Sequence, residues 1–245
     1  MPFADGTYRV SRRANFKKIG CFKTTTVSSV IDFAFDMTFG DKGEHRHSRS
    51  GGTLSRGNLE IFTNTFQGKL SEFALANVLY KHKDFKQPNL STFGLGVWED
   101  ADFQLGENAI AVKSTKSYGN LILLESKDWD IQGKYLASVS EPRTYSHIVL
   151  VRINPDAEVL LRNFQPDMKI DVALADLHSL ILAHEWEYDI PGYITTADLV
   201  DIIRNDLKIP RGALLNGVVK MDAENYYVQA GDLRPTSDLI AEFVP

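Results

Sequence analysis

Two side chains in this sequence combine into recognisable chemistry, Asp102 and Lys113. The acid ends the run Trp98-Glu99-Asp100-Ala101-Asp102, and the lysine sits in Ile110-Ala111-Val112-Lys113-Ser114-Thr115-Lys116. A carboxylate can hold a divalent metal, and a nearby lysine can orient a water or help deprotonate it. Together they are the minimum equipment for metal-dependent hydrolysis of a phosphodiester.

Those residues need a scaffold that brings them together. Positions 109–113 alternate apolar and small residues, and Gly106-Glu107-Asn108 supplies turn chemistry between two short strands. The expected element is a β-hairpin, 102–113, with Asp102 at its start and Lys113 on the returning strand. Upstream, Phe66, Leu70, Phe73, Ala74, Asn77 and Val78 follow helical spacing, so an amphipathic helix is expected over 66–82, opened by a turn containing Gly68. Glu72 falls in its first turns. A solvated surface acid is the plain reading of such a glutamate taken alone.

Asp102, the hairpin and Val112-Lys113-Ser114-Thr115-Lys116 resemble the core of PD-(D/E)XK nucleases, above all type II restriction endonucleases. Gly68 to Glu72 matches the Gly-X-X-X-Glu helix that often precedes that hairpin. The resemblance implies a restriction-endonuclease-like α/β core and Mg²⁺ held by Asp102, Glu72 and the Val112 backbone carbonyl, with Lys113 acting on the water. It also implies double-stranded DNA as substrate, cut at a short specific sequence, and a homodimer cutting both strands. The position that should be acidic is Ala111. The acid has moved to another element, the protein is a natural inactive relative, or Asp was replaced by Ala to trap an uncut complex. The flanking residues read naturally with Asp, which favours the third.

Other candidates carry less. Asp100 is an outer ligand or a solvated turn acid. Ser114 and Lys116 are candidate phosphate contacts. Glu125 ends the apolar run Leu121–Leu124, and Gln67 precedes the helix turn; neither needs a special role. His45 and His47 lack a third ligand nearby. Gly68-Lys69 is not a P-loop and Gly94-X-Gly96 opens no helix. Cys21 has no triad around it, so a buried inert thiol is expected.

The chain has 245 residues, 43% hydrophobic and 24% charged, ordinary values for a folded α/β protein. A single nuclease domain is expected over 1–245, its catalytic core at about 60–155, with elaborations on both sides. One cysteine points to a reducing compartment. Met1-Pro2-Phe3-Ala4-Asp5 lacks signal-peptide character and no stretch is long enough to span a bilayer. A prokaryotic cytoplasm and no membrane partner are the corresponding expectations.

The net charge of −5 is unevenly placed. Arg9, Arg12, Arg13, Lys17, Lys18 and Lys23 crowd the first segment, and Arg46, Arg49 and Arg56 stand in a polar Ser/Gly-rich loop over 41–58. Most such side chains simply solvate a surface. The loop's arginines and hydroxyls suit phosphate contact on DNA.

A mixed, mostly five-stranded sheet flanked by helices is expected. Val27–Phe39 reads as strand or short helix. Leu121–Glu125 is expected to continue the sheet, and the near-continuous apolar run 146–154 to lie in its middle. Further on come a helix over 171–187, a turn at Pro191-Gly192 leading into a strand, and a helix over 197–207 capped by Thr195 or Thr196. Two strands, 218–221 and 226–229, are joined by 222–225. Two other readings compete with the restriction enzyme: a structure-specific resolvase or repair nuclease, and a non-catalytic DNA-binding protein on the same scaffold, which Ala111 would explain directly.

Overall fold

The computed structural model describes residues 6–40, 57–90, 102–138, 141–165 and 172–244. In chain order these form β1 (Gly20–Cys21), α1 (Thr24–Phe39), α2 (Asn58–Leu79), β2 (Phe103–Leu105), β3 (Asn108–Lys116) and β4 (Leu121–Glu125). Next come β5 (Lys134–Tyr135), β6 (Arg143–Thr144), β7 (His147–Asn154), α3 (Ala157–Phe164), α4 (Leu174–Leu182), β8 (Glu187–Thr195) and α5 (Thr196–Arg204). The remainder holds β9 (Lys208–Ile209), β10 (Leu214–Leu215), β11 (Val219–Lys220), β12 (Asn225–Gln229) and α6 (Thr236–Phe243). Among the described residues no helix is long and apolar enough to cross a membrane.

A five-stranded mixed sheet, in the order β1-β8-β7-β3-β2, organises the molecule. Its middle strand is β7, where every residue but the last is buried. Parallel pairing with β3 sets Ala111 beside Ile148 and Lys113 beside Leu150. The other neighbour, β8, runs antiparallel and slips register between Leu150 and Arg152. That bulge holds Pro191, which has no N–H to give to a ladder.

Alternation along β3 and β7 splits the interior into two layers. Ile110, Val149, Val151 and Ile153 enter a large core with Phe62, Phe66 and Leu70 of α2, Ile31 of α1 and Trp186. Ala111, Ile148 and Leu150 enter a second core with Ile122, Trp129, Leu199 and Val228. Behind the second core stands a smaller antiparallel sheet, β4-β12-β9, with α5 beside it.

Several expectations change on this frame. The segment Val27–Phe39 is helical, within α1. Helix α2 starts at Asn58 and runs through Gly68, which lies inside it with open space where a Cβ would stand. Leu121–Glu125 does not continue the main sheet but pairs with Asn225–Gln229. The strands near 219 and 226 do not pair with one another: β11 pairs with β10, and β12 with β4 and β9. Pro191-Gly192 lies within β8. Gly192 has φ +154°, and a Cβ there would collide with the Arg234 carbonyl, so glycine admits the backbone pair between Tyr193 and Arg234. The capping box at α5 is formed by Thr195 and Asp198.

Candidate functional site

The expected hairpin is present. Strands β2 and β3 pair antiparallel with Phe103 opposite Ile110, and Gly106 takes φ +60° in the turn. Asp102 stands one residue before Phe103, so the same register carries it opposite Ala111. Phe103 belongs to the helix-side core and Ala111 to the second core. By alternation Asp102, Ala111 and Lys113 therefore share the face turned toward the second layer.

The Asp102 carboxylate has a structural task as well. Its Oδ2 accepts the Val112 N–H at 2.6 Å. Since β2 has already ended, this side chain takes the place of the missing strand for that donor. In extended backbone the N–H and C=O of one residue leave the same side of the strand. The Val112 carbonyl therefore leaves toward the Asp102 edge, which sets one carboxylate and one carbonyl side by side there.

Glu72 lies elsewhere. Helix α2 packs against the Ile110 face of β3, so Glu72 belongs to the layer opposite that of Lys113. Its Oε2 is 2.7 Å from the Lys69 ammonium, which lies 5.2 Å from the centre of the Phe33 ring on α1. Ser114 is set beside Val151 and Lys116 beside Ile153, both on the helix face. Lys116 is held by Asp156 at 3.1 Å and Glu158 at 2.9 Å. Burial pulls its pKa down, but hydrogen bonds to Glu158 and Asp156 outweigh this and leave it raised. Asp156 also caps α3 and accepts from the Tyr118 hydroxyl. Arg46, Arg49, Arg56, Asp100, His45 and His47 lie outside the described residues.

Ala111 is 5% exposed, among Ile148, Leu150 and Ile194. Glu125 ends β4 in the smaller sheet, 3.4 Å from Lys127, and Gln67 is half-buried on α2. Cys21 is exposed rather than buried. Its thiol donates to Glu185 at 3.3 Å, and with Glu187 the three form a loose ring of potential metal ligands. The Lys18 ammonium, 2.6 Å from Glu187 and 3.5 Å from Glu185, already occupies the cationic position of that ring.

The sequence reading overlooked the buried pair of Arg152 and Asp189, both under 5% exposed. Arg152 Nε donates to Asp189 at 2.8 Å, and its terminal nitrogens reach the carbonyls of Ala14 and Asn15. An arginine inside the apolar run His147–Ile153 was the available signal, because a charge buried there requires a partner. A cleft of about 480 Å³ also opens beside α5 and β12, lined by Asp198, Asp201, Tyr227, Gln229, Asp232 and Arg234. Arg234 holds Asp198 through two hydrogen bonds, 2.6 and 2.8 Å, and lowers its carboxyl pKa to about 2. None of the residues lining this cleft comes from the hairpin.

No family model matches the chain, no curated protein matches it, and no solved structure matches it.

Proposed function

We propose that this chain is a nuclease of the restriction-endonuclease kind, acting on phosphodiester bonds of double-stranded DNA, in a form weakened at Ala111. The observation that carries the reading is the hairpin register. Asp102 lies opposite position 111, Lys113 follows on the same face, and β3 runs parallel to β7, which is buried at every residue but its last.

The donor set at this edge is small but usable. Mg²⁺ keeps several waters and takes one or two carboxylates plus substrate phosphate. Asp102 and the Val112 carbonyl meet that minimum, so metal and DNA bind together rather than separately. Bound Mg²⁺ supplies polarisation of the scissile phosphate and a more acidic water. Lys113 would orient a water beside the scissile phosphate, and the Asp102 carboxylate fixes the edge geometry through the Val112 N–H. In a two-fold dimer each copy would cut one strand.

The burial of Ala111 among Ile148, Leu150 and Ile194 favours a second reading, a DNA-binding protein that keeps the scaffold without the chemistry. The two are separated by incubating the chain and its Ala111→Asp variant with plasmid DNA, in Mg²⁺ and in EDTA. The nuclease reading expects discrete Mg²⁺-dependent fragments from the variant and far less cutting by the chain itself. Intact DNA with both proteins, alongside duplex binding by both, would establish the non-catalytic protein.

A further inference from the structure

The segment from Tyr8 to Ile19 crosses the second layer without becoming part of a regular sheet, and most of its backbone ties go to side chains. Ser11 N–H and Arg12 N–H both donate to Gln229 Oε1, at 2.8 and 3.0 Å. Ala14 N–H donates to Asn120 Oδ1 at 2.8 Å, and its carbonyl accepts from Arg152. Lys17 N–H donates to Asp189 Oδ2 at 2.8 Å. Gln229, Asn120, Arg152 and Asp189 are all buried. A buried ion pair contributes little net stability, and specifying one conformation is its best-attested use. Here the Arg152–Asp189 pair holds the strap backbone at Ala14, Asn15 and Lys17.

The fixed course sorts the side chains. Tyr8, Val10, Ala14 and Phe16 are half-buried, whereas Arg9, Arg12, Arg13, Lys17 and Lys18 are exposed. Arg12 is paired with Asp232 and Lys18 with Glu187. Among the described residues no carboxylate pairs with Arg13 or Lys17. The strap also adjoins the proposed site: Arg152, which grips it, lies beside Thr115, two residues along the same face of β3 from Lys113.

We infer that residues 9–18 form a preorganised phosphate-contacting rail for duplex DNA, with Arg13 and Lys17 as its principal contacts. This rests on the nuclease reading and names the surface that would hold its substrate. Ten residues reach at most about 33–36 Å when fully extended; the shared acceptor at Gln229 bends the strap, so it covers less than one turn of B-DNA, roughly 34 Å. Because the backbone is already clamped, little ordering entropy is lost when the phosphates arrive. Contacts of this kind carry no sequence information; they set orientation and strengthen binding to any duplex.

The test is duplex binding by the full chain in EDTA, followed by fluorescence anisotropy across a salt series. The pair Arg13→Ala with Lys17→Ala is compared with Lys83→Ala with Lys86→Ala, which removes the same charge from exposed lysines after α2. Loss of two phosphate contacts should weaken binding on the order of 50-fold at 0.1 M salt and lower the salt slope by about 1.8. The Lys83/Lys86 pair should bind within about twofold of the parent. Exchanging the cations (Arg13→Lys with Lys17→Arg) should keep the parent's salt slope, and matched melting curves would show that all variants are folded. Parent-like binding by the Arg13/Lys17 variant, or an equal loss in the Lys83/Lys86 control, would overturn the rail and leave the nuclease reading standing. No duplex binding by the parent itself would sink that reading together with the rail. Tighter binding to anionic lipid vesicles than to duplex would assign the rail to a membrane surface instead.

Discussion

The two faces of β3 carry different burdens although they share one backbone. On the helix side Ile110 lies against the aromatic and aliphatic side chains of α2, in a layer that includes Phe66 edge-on to Trp186 at 5.0 Å. On the other side Ala111 stands beside Ile148, Lys113 beside Leu150 and Thr115 beside Arg152. The first face is closed by apolar packing, which has little directional preference. The second is apolar at Ala111, inside its own core, and becomes polar only toward Thr115, where Arg152 ties the sheet to the strap. The proposed chemistry on this strand therefore depends on the second face being the more tolerant of charge.

The sharpest way to break that contrast is to place the same acid on each face. Ile110→Asp puts an unpaired carboxylate into a fully buried apolar site, and the expected loss is about 5 kcal/mol or more, enough to unfold the chain. Ala111→Asp is expected to cost about 2 kcal/mol in EDTA, and Mg²⁺ should restore part of it. Equal losses in denaturant melts would show that the faces do not differ.

A smaller effect is expected at the polar clamp. Arg152→Met alone leaves Asp189 buried and unpaired, which costs about 3–5 kcal/mol. Adding Asp189→Leu should recover much of that loss, while residues 11–18 become more readily cleaved in limited proteolysis. If the double variant is as unstable as the single, the pair is required for the core and not only for the strap.

The smallest effect belongs to Asp198. Arg234 lowers its pKa to about 2, against roughly 3.9 for an unperturbed carboxyl. Because the folded value is depressed, its contribution is complete above about pH 4 and is lost as pH falls through about 2. Discounted for its partial exposure, Asp198→Asn should cost about 1 kcal/mol at pH 6 and almost nothing near pH 2. Melting temperatures of the two forms that stay equally far apart at both pH values would rule out this ion pair as the cause.

Strands and helices with one clear period were legible in the sequence. The apolar run of β7, the hairpin around Gly106 and a threonine cap of α5, at Thr195 or Thr196, all rest on local patterns. Gly68 misled the start of α2, because a glycine on an open helix surface costs only about 1 kcal/mol, less than burying Leu59, Ile61 and Phe62 returns. The partnership of β4 with β12 was not legible, since nothing local in Leu121–Glu125 specifies which distant strand it meets. For the site, alternation alone sets Ala111 and Lys113 on one face. The assignment of Glu72 to the opposite layer depends on how a helix packs, and its spacing from Gly68 carries no such information.

The strap has a consequence for the order of assembly. Its seat at Gln229 is separated from Ser11 by 218 positions in the chain. At a synthesis rate of about 5–20 residues per second, roughly 10–45 s pass between the two emerging. During that interval the basic segment lacks its Gln229 seat, although Asn120, Arg152 and Asp189 emerge earlier, and β12 has yet to cover the second core. The strap around Ser11 and Arg12 therefore stays open to proteases and to stray polyanions until β12 is made.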